Sequence, residues 1–334
     1  MTIKQEITLP EGTEDFPAVS AVIPLFNRPE DIRRLLTSFG MLDYPGQLGI
    51  IIVDDASTQD HSAAFEDFRR RCPQIALSVI RNSSNAGPSR SRNAGLETIQ
   101  ADYVWFLDSD TEIFQKDMLR NAVRILRDDP LIAGVGEEAF VLGGRSITRS
   151  SRWYPNLFYQ DSFCDYEASP SRYNLVLSTA NLILRRAVLE QTGAFNPLLR
   201  MFEDADLCFR LKDRGYKLYS CKEVAVYHHC SSKGREGNFS FYDDLGQYTR
   251  MFHRERVKLV ALNRKHALPL LPLLDLALGF KLFFAHWGRK YNPASFMTAK
   301  KNKRTNLVML AFRHFVGMLR SYAYAYRIIF TGRI

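Results

Sequence analysis

The chain has 334 residues, of which 46% are hydrophobic, so it can bury a full core and is not expected to be disordered. Its five cysteines form no Cys-x-x-Cys pair, and their odd number argues against a disulfide framework and for a reducing, cytosolic setting. The net charge of +9 is uneven, because residues 1–244 hold 28 basic and 34 acidic side chains and residues 245–334 hold 17 and 2. This asymmetry predicts two regions with different surroundings.

The first half alternates strand-like and helix-like segments after a polar, acidic leader at residues 1–17, which lacks the apolar core of a secretory signal. This alternation predicts an α/β domain with a mainly parallel sheet. The predicted strands are 18–26, 48–54, 75–80 and 103–107. The predicted helices are 29–39, 62–71, 88–99 and 118–126.

Polar side chains follow three of these predicted strands. Asn27 and Arg28 follow the first strand, Asp54 and Asp55 come at the end of the second, and Asp108 and Asp110 follow the fourth. Ligands of open α/β sheets bind beyond the carboxyl ends of the strands, and an Asp-x-Asp spacing can direct two carboxylates at one hard divalent cation. The sequence therefore predicts a nucleotide and metal site at this edge.

The segment 85–93 suggests an anion site, with an ordinary helix start as the open alternative. Gly87 permits a close backbone approach and Pro88 suits the first position of a helix. Free backbone amides, together with Arg90 or Arg92, would favour phosphate. In the alternative, the arginines are simply solvated.

Five motifs then occur in a familiar order: residues 21–28, 53–57, 85–93, 107–110, and 203–207 followed by Arg210. On these motifs the chain resembles the family 2 glycosyltransferases of GT-A fold over roughly residues 18–235. The resemblance implies an inverting transfer of a sugar from a nucleotide diphosphate donor, assisted by Mg2+ or Mn2+. It implies a catalytic domain at 18–244, with a nucleotide-sugar half at about 18–112 and an acceptor half at about 113–244.

The resemblance also implies roles for single residues. Asp110 would be the direct metal ligand, and His228, in preference to His229, would complete the metal shell. Asp108 would meet the ribose or the outer shell of the metal, and Asp54 the base or ribose. The full donor-binding set is Pro24, Asn27, Arg28, Asp54, Arg90, Arg92, Asn93, Asp108, Ser109 and Ala180.

The general base is predicted to be Asp204, with Glu203 as the alternate and also on the acceptor side. An acceptor hydroxyl must lose its proton as it attacks, and a carboxylate at a helix start stays ionised and able to accept it. The alternative is plain capping, with Asp204 as N-cap and Asp206 as a first-turn acid. Trp153 is placed on the acceptor side, and residues 231–237 are predicted to form a closing loop.

The tail at residues 245–334 is predicted to be helical and basic. Its apolar run at 267–284 contains Asp275, Lys281 and two prolines, so we do not expect it to span a membrane. Farther on, Arg313, Arg320 and Arg327 recur every seven residues among apolar side chains. This pattern predicts a peripheral attachment to the anionic inner face of the cell membrane.

The membrane prediction favours a glycan or lipid-linked acceptor and a role in polysaccharide or cell-envelope synthesis. Packing of the tail on protein is the open alternative, and the oligomeric state is not predicted. Three other functions are weighed: a nucleotidyltransferase, a nucleic-acid binder and a non-catalytic nucleotide-sugar binder. The absence of a glycine-rich, lysine-bearing loop opposes the first, and the long Leu/Phe runs of the tail oppose the second. The presence of both Asp110 and Asp204 opposes the third.

Overall fold

A computed structural model describes most of the chain and divides it into two compact units. The described residues are 16–142, 144–153, 159–231, 245–263, 265–273, 316, 319, 321–329 and 331. The first unit comprises Met1–Arg149, Phe163–Pro197 and Glu203–Asn238, and the second comprises Ser150–Ser162, Leu198–Phe202 and Phe239–Ile334. Residues 1–15 of the predicted leader lie outside the described part.

An eight-stranded sheet forms the core of the first unit, with strand order β10-β12-β6-β11-β4-β1-β2-β3. Its strands are β1 (Val19–Leu25), β2 (Leu48–Asp54), β3 (Ala76–Arg81), β4 (Tyr103–Leu107), β6 (Ile132–Val135), β10 (Arg172–Asn174), β11 (Asn181–Arg185) and β12 (Lys217–Ser220). A second sheet has the order β5-β13-β7-β8-β9, with β5 (Thr111–Glu112), β7 (Glu137–Leu142), β8 (Arg145–Trp153), β9 (Tyr159–Asp165) and β13 (Ala225–His228). The helices of this unit are α1 (Pro29–Phe39), α2 (Ser62–Arg71), α3 (Pro88–Leu96), α4 (Met118–Asp128), α5 (Arg186–Thr192) and α6 (Glu203–Asp213).

The predicted α/β half is confirmed, because β3, β2, β1 and β4 lie side by side and parallel. The side chains of these strands point alternately to the two faces of the sheet and are apolar on both. Helices pack against each face and form one core cluster on each side. Leu36 and Phe39 of α1 share one core cluster with Trp105, whose ring lies 5.4 Å from that of Phe39. Val22 and Phe106 belong to the cluster on the opposite face.

The whole sheet is mixed: four of its seven strand pairings are parallel, in line with the prediction of a mainly parallel sheet, and three are antiparallel. Strand β11 runs antiparallel between β4 and β6. The physical reason for its direction is the route of the chain: β6 leads through Gly136 into the second sheet, and the chain returns to the large sheet at β10. Strand β11 then starts at Asn181, which pairs with Leu107 at the carboxyl end of β4. A Cβ on Gly136 would lie 1.9 Å from the carbonyl oxygen of Asn181, so only glycine fits this crossing.

The second unit contains α7 (Leu245–Asn263), a short 3₁₀ helix (Lys265–Leu270) and helical residues 321–329. Within this unit the rings of Phe202 and Phe252 lie 5.2 Å apart, and Glu255 Oε2 accepts the Arg200 N–H at 3.0 Å. The described helices include none with the length and apolarity needed to cross a bilayer. Arg313 and Arg320 of the predicted basic stripe lie outside the described residues, so the membrane attachment stays a prediction.

Candidate functional site

The loops at the carboxyl edge of the large sheet carry unusual backbone. Among the described residues, the non-glycine residues with positive φ are Asn27, Ala56, Phe202 and Cys230, at 51°, 62°, 67° and 49°. Asn27 and Ala56 follow β1 and β2 of the large sheet, Cys230 follows β13 of the second sheet, and Phe202 belongs to the second unit. Such conformations cost about 1–3 kcal/mol each and collect at functional sites. Asn27 and Ala56 thus mark the same edge that the sequence motifs indicated.

Three possible metal ligands converge after β4. One ligand atom from each of Asp108, Asp110 and His228 lies within 4.8 Å of the others. Asp110 is buried, and its Oδ2 accepts the backbone N–H of Ser231 at 2.8 Å. Its Oδ1 makes no aligned hydrogen bond with the described residues but lies 2.9 Å from Arg28 Nη1. The two aspartates of the motif and a distant histidine therefore form one cluster.

Strand pairing decides which histidine joins the cluster. β13 pairs antiparallel with β5, and His228 lies opposite Thr111. His228 Nε2 is 3.6 Å from Asp110 Oδ1, whereas His229 Nε2 is 2.8 Å from Glu112 Oε2. The structure therefore brings His228, the preferred residue of the sequence prediction, to the aspartates.

The charges around this cluster keep Asp110 ionised. Burial raises the pKa of Asp110, but His228 and Arg28 lower it more, so the pKa lies well below the usual range. Glu138 of β7 behaves similarly: burial raises its pKa, but Arg149 and His228 lower it to about 2. Burial lowers the pKa of His228, yet Cys230 and Asp110 raise it well above the usual range. Carboxylates and an imidazole, which must give up its proton when a cation binds, are a donor set that fits Mn2+ or, with more oxygen ligands, Mg2+.

Asp54 ends β2 beside a cavity of about 410 Å3. Its Oδ1 accepts the N–H of Ser57 at 2.9 Å, and its Oδ2 forms an ion pair with Arg81. His61 and Phe65 also line the cavity. The predicted base or ribose contact of Asp54 thus has a space beside it, with a cation and two rings on its walls.

Two amides of the predicted phosphate loop, those of Ala86 and Gly87, are engaged within the protein, which corrects the expectation that they are free. Asp55 accepts the N–H groups of Ala86 and Gly87 at 2.9 and 2.8 Å. This buried carboxylate supplies the negative charge that the start of α3 favours. Arg90 is exposed, whereas the Asn93 side chain exchanges two hydrogen bonds with the backbone of Phe195, at 2.8 and 2.9 Å.

The remaining donor-side residues hold the loops of this edge. Asn27 Oδ1 accepts the N–H of Thr58 at 2.8 Å. Pro24 lies in β1 beyond Val22, the last residue that β1 pairs with β4, so its missing N–H leaves no bond unmade there. The carbonyl of Ala180 accepts the Asp108 N–H at 3.3 Å, and Ser109 is buried.

The predicted base lies at the start of α6. The helix begins at Glu203, so Asp204 is its second residue and not the N-cap that the capping alternative assumed. Burial and the neighbouring Glu203 raise the pKa of Asp204 to about 7, against the opposing effects of the Ala205 N–H, Arg92 and Arg149. Asp206 instead pairs with Arg210 at 3.0 Å. One acid of this helix therefore titrates near neutrality.

Arg92 links the base side to the donor side. Its Nη1 lies 2.7 Å from Glu203 Oε1, and its Nη2 lies 2.7 Å from Asp108 Oδ1. The guanidinium is buried and lies over the ring of Phe195. The sequence placed Arg92 near the nucleotide, but the structure has both ends of its guanidinium in contact with protein carboxylates.

Sequence reasoning missed two residues of this site, Glu138 and Arg149. Glu138 Oε2 lies 3.6 Å from His228 Nδ1 and 3.3 Å from Arg149 Nη2. The available signal was a pair of acids, Glu137 and Glu138, at the start of an apolar strand. Trp153 ends β8, but its side chain lies outside the described part, as do residues 232–237 of the predicted closing loop.

Comparison with known proteins agrees with this arrangement. A profile of the family described as Glycosyltransferase like family 2 matches residues 17–250, more than half of the chain. The chain belongs to this family. The prediction that it is an enzyme of the glycosyltransferase class is thereby confirmed.

The family relatives differ widely in length. The glycosyltransferase AglE of Haloferax volcanii is 27% identical over 220 residues, which cover 65% of this chain and 68% of AglE. A pre-mycofactocin glycosyltransferase of Mycobacterium tuberculosis is 28% identical over 205 residues, or 60% of this chain and 40% of that protein. The poly(ribitol-phosphate) beta-N-acetylglucosaminyltransferase TarS of Staphylococcus aureus is 30% identical over 186 residues, or 53% and 29%. The match therefore spans about two thirds of AglE but less than half of the other two.

Two solved glycosyltransferase structures share the fold. The mannosyltransferase PcManGT from Pyrobaculum calidifontis, in complex with GDP-Man and Mn2+, superposes with a TM-score of 0.57 at 18% identity and covers 96% of this chain and 91% of its own. TarS residues 1–349 in complex with UDP-GlcNAc superpose with a TM-score of 0.54 at 18% identity. The match covers 95% of this chain and 92% of the TarS chain. The predicted GT-A type α/β fold is confirmed, with a mixed sheet.

Proposed function

We propose that this family 2 protein transfers a sugar from a nucleotide diphosphate sugar to a hydroxyl group of a glycan or lipid-linked acceptor, with inversion at the anomeric carbon. The observation that carries the proposal is one site holding carboxylates in two opposite environments. Asp110 has a pKa far below its usual range, whereas the pKa of Asp204 is raised to about 7. A permanently ionised acid suits cation binding, and an acid that titrates near neutrality suits proton transfer.

Asp110 and His228, with Asp108 beside them, would hold Mn2+ or Mg2+. Such an ion, when bound, neutralises the negative charge that develops on a departing diphosphate, an effect worth several kcal/mol. Arg28 adds a second cation next to Asp110. The donor side thus gathers positive charge where the leaving group would need it.

Asp204 is proposed as the general base. The acceptor oxygen forms a bond to the anomeric carbon, the bond from that carbon to the diphosphate oxygen breaks, and the hydroxyl proton passes to Asp204. A base whose pKa lies near the working pH is ionised in a large fraction of the molecules and is still basic enough to accept the proton. The pKa of about 7 for Asp204 meets this condition.

The nucleotide is proposed to bind beside Asp54 and Asp108, with its base toward the cavity that Arg81 and His61 line. PcManGT and TarS carry a guanosine and a uridine donor in their solved complexes, so both bases are candidates here. For the tail we propose a cytoplasmic, peripheral attachment to the inner membrane face. The support is its 17 basic against 2 acidic residues among apolar side chains.

A donor screen tests this function. The full chain is heated with UDP-GlcNAc, GDP-mannose and other nucleotide sugars, each with and without Mn2+, and release of nucleoside diphosphate is measured for every donor that raises the melting temperature. A ligand that binds only the folded state raises that temperature by mass action. We expect a metal-dependent shift with one nucleotide class, followed by release. A shift without release, with or without glycan acceptors, would favour a non-catalytic binder.

The membrane part has its own test. Full-length protein and a chain ending near residue 245 are mixed with vesicles containing anionic lipid at low salt and then pelleted. We expect only the full chain to pellet and to be released as the salt concentration rises. Equal behaviour of the two chains would refute the attachment.

A further inference from the structure

Arg92 is a buried cation with two carboxylate partners from different parts of the fold. It leaves α3 and reaches Asp108 after β4 with one nitrogen and Glu203 of α6 with the other, each at 2.7 Å. Only 2% of its surface is exposed. A guanidinium presents its N–H groups in a rigid fork, so it can hold two acids at a fixed separation, which an ammonium cannot do.

Arg92 gives the two acids at the start of α6 different partners. Glu203 is committed to Arg92. Asp204 accepts the N–H of Ala205 in its own helix at 2.7 Å. The two neighbouring acids at the start of α6 are therefore not equivalent, and the difference comes from one side chain on another helix.

We infer that Arg92 is a positioning residue of the proposed transfer, which ties Asp108 on the donor side to Glu203 on the base side and leaves Asp204 to accept the proton. This inference rests on the proposed function and deepens it. It removes Glu203 as the alternate base. It also gives Arg92 a role other than the contact with nucleotide or phosphates expected from the sequence.

The charges around Asp204 give the inference a distinctive signature. Glu203 from its own helix, Arg92 from α3 and Arg149 from β8 all act on this carboxyl group. Glu203 raises the pKa of Asp204, whereas Arg92 lowers it. Neutralising Glu203 should move the acid limb of the pH–rate profile to lower pH, and neutralising Arg92 should move it to higher pH.

The test uses the full chain with Mn2+ and the probes UDP-GlcNAc and GDP-mannose, in the variants Glu203→Gln, Arg92→Lys and Arg92→Gln. Arg124→Lys, at an exposed arginine of α4, is the control and should keep the wild-type turnover. We expect Arg92→Lys to lower turnover by about 100-fold, because small misplacements of a reacting group cost that much, with the Kd for UDP and GDP unchanged. Glu203→Gln should lower turnover by less than about tenfold, because its amide oxygen still accepts a hydrogen bond from Arg92. The acid limb of its pH–rate profile should move to lower pH.

Unfolding temperatures provide a readout that does not depend on turnover. Arg92→Gln leaves the buried Glu203 and the half-buried Asp108 without their shared cation, so it should melt below the wild type. Adding Glu203→Gln removes one of those charges, and the double variant should melt above Arg92→Gln alone. If the melting temperature of the double variant falls by the sum of the two single decreases, Arg92 and Glu203 do not stabilise each other and the inference is wrong.

Three results would overturn the inference in an enzyme that is otherwise active. The first is loss of UDP and GDP binding in Arg92→Lys. The second is a loss of turnover in Glu203→Gln as large as that in Asp204→Asn. The third is an acid limb of the pH–rate profile that stays in place in both Glu203→Gln and Arg92→Gln. Wild-type protein that consumes no donor would instead overturn the proposed function, and with it the catalytic part of this inference.

Discussion

The donor side and the base side of this site use the same kind of side chain in opposite surroundings. On the donor side, Asp110 lies among Arg28, His228 and a backbone N–H, and its pKa falls far below the usual range despite burial. On the base side, Asp204 is next to Glu203, and burial with this like charge raises its pKa to about 7. Placement, not residue type, separates a cation ligand from a proton acceptor.

The neighbours that create this difference come from remote parts of the chain. Arg28 follows β1 and His228 ends β13, so the donor-side acid is served by two cations about 200 positions apart in sequence. On the base side the two cations near Asp204 are paired with other acids, Arg92 with Asp108 and Glu203, and Arg149 with Glu138. Four predictions test whether these different charged neighbours decide that Asp110 binds the cation and Asp204 accepts the proton.

The largest effect is expected from Asp204→Asn. Asparagine keeps the shape but cannot take a proton, so turnover should fall by about 100- to 10,000-fold while donor binding is retained. The measurement is release of nucleoside diphosphate together with the Kd of UDP or GDP. Asp206→Asn, two residues farther along the same helix and paired with Arg210, is the control and should stay active. Near-normal turnover in Asp204→Asn would remove the base from this side.

Asp110→Asn should abolish the metal dependence of nucleotide binding. Outer-shell partners alone cost about 10- to 100-fold in metal affinity, so loss of a direct ligand should exceed about 100-fold. Calorimetry of UDP and GDP binding with and without Mn2+ checks this, with Glu112→Gln as a control at the same edge. An undiminished Mn2+ effect in Asp110→Asn would mean that the ion binds elsewhere.

The stability of the two sides should respond to pH in a defined direction. Because the pKa of Asp204 is raised in the folded state, the folded protein holds an extra proton between the ordinary pKa of an aspartate and about 7, so stability falls as pH rises through this range. Asp204→Asn should therefore be more stable than the wild type at neutral pH, by about 2 kcal/mol after allowance for partial exposure and the facing arginines, and not at acid pH.

Urea unfolding of the variant and the wild type at a series of pH values measures this difference. Glu137, whose burial raises its pKa to about 7, is present in both proteins, so its contribution cancels. Asp206→Asn should lose stability at neutral pH, because it breaks an ion pair. A neutral-pH loss in Asp204→Asn would contradict the raised pKa.

The smallest effect is expected from Glu138→Gln. Glu138 faces His228 Nδ1 at 3.6 Å, on the side of the ring away from Asp110, and so favours the orientation in which Nε2 points at the aspartates. We expect about a tenfold loss of Mn2+ affinity, measured from the free-ion signal in electron paramagnetic resonance. His229→Asn should leave the affinity unchanged. Equal losses in both variants would assign the effect to the loop as a whole.

Much of the first half was predictable because its signals are local. Helical spacing of Ile32, Leu35, Leu36 and Phe39 fixed α1, and short apolar runs ending in polar residues fixed β1, β2 and β4. The prediction of 88–99 as one helix was too long, since α3 ends at Leu96. The antiparallel β11 had no local signal, because strand direction depends on where the chain re-enters the sheet.

The sequence by itself determined the family, the α/β alternation and the carboxylates at the strand ends, because these depend on residue type and short spacing. Only the tertiary structure decided that His228 and not His229 meets the aspartates, that Asp55 occupies the amides at the start of α3, and that Arg92 pairs with Asp108 and Glu203. Each of these depends on contacts between segments far apart in sequence. Charge, burial and hydrogen-bond partners are properties of such contacts, and spacing along the chain does not encode them.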